Sequence, residues 1–309
     1  MIAPKVSIIV PIFNAEMYLA ECLSSLCNQT LKDIEIICIN DGSTDNSVAI
    51  IKKVCAQDSR VKLINQQNMG PCETRKNGII QASGEYIGFV DSDDYVDSRF
   101  FELLYTAACR EQADIAVTTE IFPFDDRRVF PKKDSGFSKS KKALTACERA
   151  KLFLRTAVPW NKIYKKELCL RVLPYYMAEE KWGEDNMFSI PSLIMANKVT
   201  LTSDPIYFYR QHASSICHTP AKTKNILNLY NSYNMIIKKL YESNINKNDT
   251  IIYKKNIIRR RNFDCFQLAE QSISISERIS FALQTKDVQF QIAYLARKAY
   301  NIFKNIIKK

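Results

Sequence analysis

The segment DSDD at 91–94 concentrates three carboxylates within four residues. Repulsion between clustered carboxylates opposes folding unless a cation or a proton offsets it. Because Asp91 and Asp93 are two residues apart, both could approach one hard divalent cation, Mg²⁺ or Mn²⁺, that also holds a diphosphate, with Ser92 beside the same ligand. The alternative is a solvated acidic turn that caps the next helix.

Two polar segments, PIFN at 11–14 and NDGSTD at 40–45, suit a nucleotide. Asp41 can accept the N3–H of a uracil ring, and Phe13 could stack on the base, with Asn14 next to it. The alternative for NDGSTD is a turn followed by a helix cap, because Asp, Gly, Ser and Thr are turn residues.

The segment GED at 183–185 places two carboxylates before an apolar helix. Either Glu184 and Asp185 provide favourable charge at a helix N-terminus, or they provide a general base that deprotonates a hydroxyl. A polar and aromatic group, YFYRQH, follows at 207–212. Its His212 is a third candidate metal ligand or a diphosphate contact, and a surface histidine is equally compatible with the pattern.

The elements that must position these residues alternate between strand and helix over the first 120 residues. Continuous apolar runs, such as VSIIV at 6–10 and IEIICIN at 34–40, are typical of strands buried on both faces. The predicted strands are 6–10, 34–40, 61–65, 86–90 and 114–118, and the predicted helices between them are 15–29, 45–57, 71–82 and 100–112. The alternation predicts an α/β fold with a doubly wound, mostly parallel sheet. Ligands bind such sheets beyond the carboxyl ends of the strands, where the polar segments lie.

The remainder of the chain is less regular. Residues 121–140 read as a surface excursion, helices are predicted at 143–155 and 184–195, and 206–210 resembles a strand. Beyond residue 220 the pattern is helical.

Composition excludes several classes of protein. The 309 residues contain no apolar run of about 18, so we expect no membrane span, and the N-terminus lacks the pattern of a signal peptide. The ten cysteines are scattered singly, which argues against a disulfide framework or a zinc site. We therefore expect a cytoplasmic protein.

The net charge of +11 is uneven, at −7 over residues 1–120 and +18 over the rest. The segment 286–309 combines an apolar stripe at steps of three and four with a local charge of +5. Such a helix can lie on an anionic membrane surface or near a lipid-linked acceptor. Alternatively it docks on its own domain or on a partner subunit, which would make an oligomer. No nucleic-acid partner is expected.

Taken together, five segments resemble glycosyltransferase family 2, a family of inverting enzymes with the GT-A fold. They are VSIIVPIFN, NDGSTDNS, NMGPCETRKNGI, GEYIGFVDSDD and GED. The resemblance implies a GT-A domain at 1–215, with a nucleotide-sugar-binding part at 1–120 and an acceptor and catalytic part at 121–215. A basic helical region would follow at 216–309. It also implies a UDP-sugar donor, a Mn²⁺ or Mg²⁺ ion and an acceptor in surface-polysaccharide assembly.

The resemblance also implies roles residue by residue. Pro11, Asp41 and Arg75 would line the uridine pocket. Asp91 would reach the ribose or the metal, and Asp93 corresponds to the last position of the family's DxD motif. Asp185 corresponds to the catalytic base, with Glu184 beside it. The chain departs from the family's small residues around the arginine, since Cys72, Glu73 and Thr74 are bulkier or more polar.

Two other functions are compatible with parts of the sequence. A sugar nucleotidyltransferase would need a loop rich in Gly and basic residues after the first strand, whereas PIFNAEMY at 11–18 has none. A catalytically silent nucleotide-sugar or glycan-binding protein would not need both DSDD and GED.

Overall fold

A computed structural model describes residues 3–125, 128–131, 137, 140–176, 183–212, 222–241, 245–272, 274–285, 287 and 289–291. The chain divides into two compact units. Residues 1–179 and 184–214 form the first, and residues 180–183 and 215–309 form the second.

Apolar runs form the strands of the first unit. In chain order these are β1 (Val6–Ile12), β2 (Ile34–Asp41), β3 (Val61–Gln66), β4 (Tyr86–Phe89), β5 (Tyr95–Val96), β6 (Ile115–Thr118), β7 (Ile121–Phe124), β8 (Lys162–Lys165), β9 (Val199–Thr202) and β10 (Tyr207–Arg210). The central sheet has the order β3-β2-β1-β4-β8-β6-β9. All eight residues of β2 are buried, which explains its continuous apolar sequence. The predicted α/β fold with a mostly parallel central sheet is confirmed.

One strand departs from the parallel arrangement. Strand β8 runs antiparallel to both its neighbours, and Tyr164 pairs with Ile87 of β4 on one side and with Ile115 of β6 on the other. A strand inserted in this way separates β4 from β6, which a simple strand–helix alternation would have made neighbours. The segment 160–164 therefore supplies a central strand that the alternation does not predict.

Helices flank the sheet of the first unit. They are α1 (Leu19–Cys27), α2 (Ser47–Cys55), α3 (Pro71–Gln81), α4 (Phe100–Glu111), α5 (Ala146–Thr156), α6 (Lys166–Val172) and α7 (Glu184–Met195). Helix α1 begins four residues later than predicted, and residues 15 and 16 before it donate their backbone N–H groups to the side chains of Ser47 and Asp45. This loop, which follows β1, is therefore held against the polar loop that follows β2.

A second, smaller sheet has the order β5-β10-β7. Strand β7 lies within the segment predicted to be a surface excursion, and that prediction is wrong for these four residues. They pair with β10, more than 80 residues further along the chain, so the sequence around them does not predict a strand. This sheet carries Tyr207, Arg210 and, just after β10, His212.

The second unit is helical where it is described, as predicted. Its helices are α8 (Thr223–Tyr241), α9 (Lys247–Ser272) and α10 (Ile275–Gln284). Arg261 of α9 is 4% exposed and binds Asn234 of α8 and Asp287. The predicted amphipathic helix at 286–309 lies outside the described residues, apart from 287 and 289–291. Among the described residues no helix is long and apolar enough to cross a membrane.

Candidate active site

The acidic turn, residues 91–94, follows β4 at the carboxyl end of the central sheet. Asp94 donates its backbone N–H to the carbonyl of Asp91 at 3.1 Å, which closes the turn. The three carboxylates of the turn have different partners: Asp91 binds Arg75, Asp93 binds His212, and Asp94 binds Tyr207. Identical side chains therefore have three environments within four residues.

Asp94 anchors the turn to the second sheet. It is 1% exposed and accepts hydrogen bonds from the Tyr207 hydroxyl at 2.7 Å and from the backbone N–H of Arg210 at 2.8 Å. The same hydroxyl accepts from the N–H of Asp91 at 3.3 Å, and the Tyr207 ring stacks on Trp160 at 4.1 Å between centroids. Burial, reinforced by the neighbouring carboxylates, raises the pKa of Asp94 well above its usual value. Asp94 therefore fixes the backbone of the turn to β10 and does not face solvent.

Asp93 and His212 are the pair best placed to hold a divalent cation. Asp93 Oδ2 lies 2.8 Å from His212 Nε2, and the two side chains are 34% and 15% exposed. A carboxylate and an imidazole fit Mn²⁺ or Mg²⁺, which completes its coordination with diphosphate oxygens and water. Within the described part of the chain, no group of three or more ligand residues could hold a metal, and Asp91 is paired with Arg75. The metal assignment stays a prediction that rests on two ligands and not on three.

Arg75 on α3 connects the acidic turn to the start of α7. Its side chain is 5% exposed; Nη2 lies 2.8 Å from Asp91, and Nη1 lies 2.6 Å from Glu184 and 3.3 Å from Asp185. Its Nε is buried without a hydrogen-bond partner. One guanidinium therefore faces three carboxylates. The sequence resemblance assigns Arg75 to the uridine pocket, whereas all its ion pairs here are with acidic residues of the site.

Glu184 and Asp185 share this guanidinium but differ in exposure. Glu184 is 8% exposed, and its second oxygen accepts from the Tyr176 hydroxyl at 3.0 Å. The Asp185 side chain is 32% exposed, although its Oδ1 is buried without a hydrogen-bond partner. Burial, followed by the charge of Glu184, raises the pKa of Asp185 well above its usual value. A partly exposed carboxylate with a raised pKa can accept a proton from a hydroxyl, whereas both oxygens of Glu184 are occupied.

Asp41 lies at the carboxyl end of β2 and is 4% exposed. Its carboxylate accepts from the N–H groups of Met69 and Gly70 at 2.8 and 2.9 Å and from the Gln66 amide at 2.8 Å. The turn that presents these N–H groups needs a residue with φ of 86°, and Gly70 supplies it. Three donors fill three of about four lone-pair sites on the carboxylate. A ligand donor would have to use the remaining lone pair of this buried carboxylate.

The loop after β1 lies against the loop after β2. Asn14 accepts from the backbone N–H of Thr44 at 2.8 Å, and its own N–H donates to Ser43 at 3.0 Å. Phe13 is 51% exposed, so its ring is available to a planar ligand. Pro11, near the end of β1, and Ser92, in the acidic turn, are half-buried.

Known proteins are similar to this chain in sequence and in fold. A family model described as glycosyl transferase family 2 matches residues 7–172, more than half of the chain. The chain belongs to glycosyltransferase family 2. EpsJ of Bacillus subtilis (strain 168), named an uncharacterized glycosyltransferase, is 36% identical over 224 residues. The match covers 71% of this chain and 64% of EpsJ, so the chain spans slightly less than two thirds of that relative's length.

Solved structures show the same fold for this family 2 member. Residues 1–349 of S. aureus TarS, crystallised in complex with UDP-GlcNAc, superpose with a TM-score of 0.79 at 23% identity. The superposition covers 90% of this chain and 78% of that one. The mannosyltransferase PcManGT from Pyrobaculum calidifontis, in complex with GDP-Man and Mn²⁺, has a TM-score of 0.57 at 12% identity, over 97% of this chain and 88% of that one.

The family motifs do not include every residue that shapes the site. Lys162 on β8 is fully buried, and its ammonium donates to the Val158 carbonyl at 2.6 Å and to the Asn161 side chain at 2.5 Å. Burial lowers the pKa of Lys162 to about 7, opposed by the charge of Asp185. The sequence signal for Lys162 is its position within the aromatic segment WNKIY at 160–164, because a lysine is rarely buried unless its charge is paired.

Proposed function

We propose that this chain transfers one sugar from a UDP-sugar donor to an acceptor hydroxyl, with inversion at the anomeric carbon. The observation that carries the proposal is the contact of one buried guanidinium with Asp91 at the end of β4 and with Asp185 at the start of α7. A donor-side carboxylate and a candidate base thus lie on either side of Arg75.

The donor is proposed to be a uridine nucleotide. Asp41 keeps one lone-pair site for the N3–H of uracil, and the exposed Phe13 ring can stack on the base. Pro11, Asn14 and Ser92 belong to the loops that would border the nucleotide. TarS, which shares the fold, was crystallised in complex with UDP-GlcNAc. Asp93 and His212 would hold Mn²⁺ or Mg²⁺, and that ion would stabilise the negative charge on the leaving diphosphate.

The chain's own residues would manage the proton. Asp185 accepts the proton of the acceptor hydroxyl as that oxygen attacks the anomeric carbon. The bond from this carbon to the diphosphate oxygen breaks, and its electron pair leaves with UDP. Attack and departure on opposite faces of the sugar produce inversion. Glu184, fixed by Tyr176 and Arg75, is proposed to orient Asp185.

The acceptor is proposed to be a glycan or a lipid-linked glycan in cell-surface assembly. The basic charge of the C-terminal region suits an acceptor at an anionic membrane surface. None of the nine cysteines that the structure describes forms a disulfide, which is compatible with the proposed reducing, cytoplasmic site of action.

Calorimetric titration with UDP, in Mn²⁺ and in chelator, tests the proposal. We expect UDP to bind at least about tenfold more tightly in Mn²⁺, and Asp93→Ala to remove that difference. If UDP binds with the same affinity in chelator, the metal role is wrong. If UTP binds and UDP does not, a nucleotidyltransferase is favoured. A chain that binds UDP-sugars but never releases UDP from them is a binding protein.

A further inference from the structure

The charge of this chain is concentrated in its C-terminal region. Residues 216–309 contain 17 lysines and arginines against 6 aspartates and glutamates, which accounts for the entire net charge of +11. Residues 1–215 contain 27 of each sign and are neutral overall. The cationic surface is therefore a property of one region and not of the whole chain.

Helix α9 has a buried row and an exposed row of residues on opposite sides. Positions 253, 257, 261 and 265 are buried, at steps of four residues. Positions 251, 255, 259 and 263, two residues before them, are exposed at the same steps. Since two residues correspond to about 200° around a helix, the exposed row lies opposite the buried one.

We define the basic row as Lys247, Ile251, Lys255, Arg259 and Phe263, all of which are exposed. Ile251 is 66% exposed and Phe263 is 49% exposed. At the same steps of four residues, two exposed glutamines follow the row towards the C-terminal end of α9, at 267 and 271. None of these positions holds an acidic residue. A solvated helix face ordinarily mixes both charge signs, so the composition of this row is one-sided.

The acidic residues of α9 nearest to this row are engaged elsewhere. Asp264 accepts from Arg260 at 2.9 Å and also binds the Tyr233 hydroxyl. Asp249 exchanges hydrogen bonds with Asn246 at the start of the helix. Among the described residues, no ion pair joins Lys247, Lys255 or Arg259 to a carboxylate.

We propose that the basic row docks on an anionic lipid surface. Its two bulky apolar side chains are about 18 Å apart along the helix, which is too far to form the contiguous apolar centre of a protein interface. Because each step of four residues turns about 40° around the helix, the row from Ile251 to Phe263 covers a sector of about 120°. Lys255 and Arg259 lie at the centre of this sector, where they can meet lipid phosphates, and the two apolar side chains lie at its edges against the headgroups. Tyr241, 57% exposed with the Lys254 ammonium 5.0 Å above its ring, adds an aromatic group of the kind found at membrane interfaces. A nucleic acid would bind the cations of the row but would leave Ile251, which is 66% exposed, without an apolar contact.

The lipid contact rests on the proposed function only in that a surface-glycan acceptor lies at a membrane. It is measured without donor or acceptor. The full chain is sedimented with vesicles of neutral phosphatidylcholine and with vesicles that also contain 30% phosphatidylglycerol. We expect binding to the anionic vesicles and weak or no binding to the neutral ones.

Two double variants and one matched control locate the contact. Lys255→Glu with Arg259→Glu should lower partitioning to anionic vesicles at least about tenfold, because each basic residue near anionic lipid contributes about a factor of five. Ile251→Ser with Phe263→Ser should lower it without changing net charge. Lys52→Glu with Lys53→Glu, on the exposed face of α2, makes the same charge change in the first unit and should lower it less than about threefold.

Three results would overturn the proposal. The first is that the full chain does not sediment with anionic vesicles. The second is that the α2 control loses as much binding as the α9 variant, and the third is that the α9 variants dissociate an oligomer on gel filtration. Circular dichroism of each variant checks that the helices are intact. UDP release by the same variants reports on the proposed transferase separately, so the two proposals fail independently.

Discussion

At the scale of single residues, partners and burial give the carboxylates of the acidic turn different tasks. Asp93 is partly exposed beside the His212 imidazole, and Asp91 contacts the Arg75 guanidinium. Asp94 is buried and accepts a hydrogen bond from the Tyr207 hydroxyl. Only a carboxylate that retains access to solvent can exchange water for a ligand. Asp93 is therefore the residue of the turn most open to a metal, and Asp94 contributes through the backbone it fixes.

Tyr207→Phe tests this division. The variant keeps the ring that stacks on Trp160 but leaves the buried Asp94 and the Asp91 N–H each short of one hydrogen bond. A loss of about 1–2 kcal/mol at the turn should raise the Mn²⁺ concentration for half-maximal activity about tenfold. Tyr86→Phe is the control, since that buried hydroxyl donates to the Ala113 carbonyl far from the turn. Equal metal dependence in both variants would show that Tyr207 only stabilises the fold.

Asp185→Asn tests the general base. It should lower kcat about 100-fold, the usual scale for a lost base, and change UDP affinity by less than about twofold. In the wild type, kcat should rise with pH as Asp185 loses its proton, over a range above the ordinary aspartate pKa because that pKa is raised. The variant should lack this rise. Weakened UDP binding with intact kcat would move Asp185 to the donor side.

At the scale of elements, close backbone packing holds α3, and with it Arg75, against the sheet. A Cβ added at Gly78 would lie 2.4 Å from Cγ2 of Ile9 on β1, and both residues are buried. The helix can approach β1 this closely only because position 78 has no side chain. The Arg75 guanidinium reaches the acidic turn from this position.

Gly78→Ala should therefore destabilise the protein although alanine favours helix. The gain in propensity is about 1 kcal/mol, whereas overpacking a rigid β-branched neighbour costs about 1–3 kcal/mol. We expect a lower urea midpoint of unfolding, corresponding to a net loss of about 1 kcal/mol. Gln81→Ala, at an exposed position of the same helix, should leave the midpoint unchanged or raise it. A Gly78→Ala variant as stable as the wild type would show that the helix can move away without cost.

Sequence periodicity predicts the elements that have a long or continuous apolar pattern. Helix α7 was predicted with its observed bounds, and the first four strands within two residues of theirs. Strands β7, β8 and β9 are not predicted: β7 begins the segment rich in Pro, Asp and Lys, β8 is inserted antiparallel into the alternation, and β9 is a run of only four residues. The same limit applies to the site. Asp93, Arg75 and Asp185 stand out as motif residues, whereas the support from Tyr207 and Tyr176 depends on contacts that only the tertiary structure creates.

At the scale of the whole molecule, buried acids link stability to pH. The pKa of Asp94 and that of Asp185 are raised in the folded chain, so the folded state binds more protons than the unfolded state above about pH 4. Stability must then fall as pH rises toward the folded pKa values. The pKa of Glu35 is lowered to about 2, so its contribution to the free energy of unfolding is lost only as the pH falls below about 4.5. The pKa of Lys162 is lowered to about 7, so this residue has the opposite effect, and stability rises with pH above about 7.

Calorimetric unfolding in chelator between pH 5 and pH 7 isolates this effect. We expect the melting temperature to fall across that range by a few degrees, equivalent to about 1 kcal/mol or more. Asp94→Asn should flatten the slope, because the amide cannot titrate. A melting temperature that rises from pH 5 to pH 7 would contradict the assignment of raised pKa values.

We propose that this family 2 protein breaks the bond between the anomeric carbon and the diphosphate of a UDP-sugar, with the help of a metal held by Asp93. The most direct test is UDP release from a panel of UDP-sugars, with water or added glycans as acceptor, in Mn²⁺ and in chelator. We predict release from at least one donor in Mn²⁺, loss of that release in chelator, and a decrease of at least about 100-fold in Asp93→Ala. Release from no donor, or near-normal release by Asp93→Ala, would contradict the account.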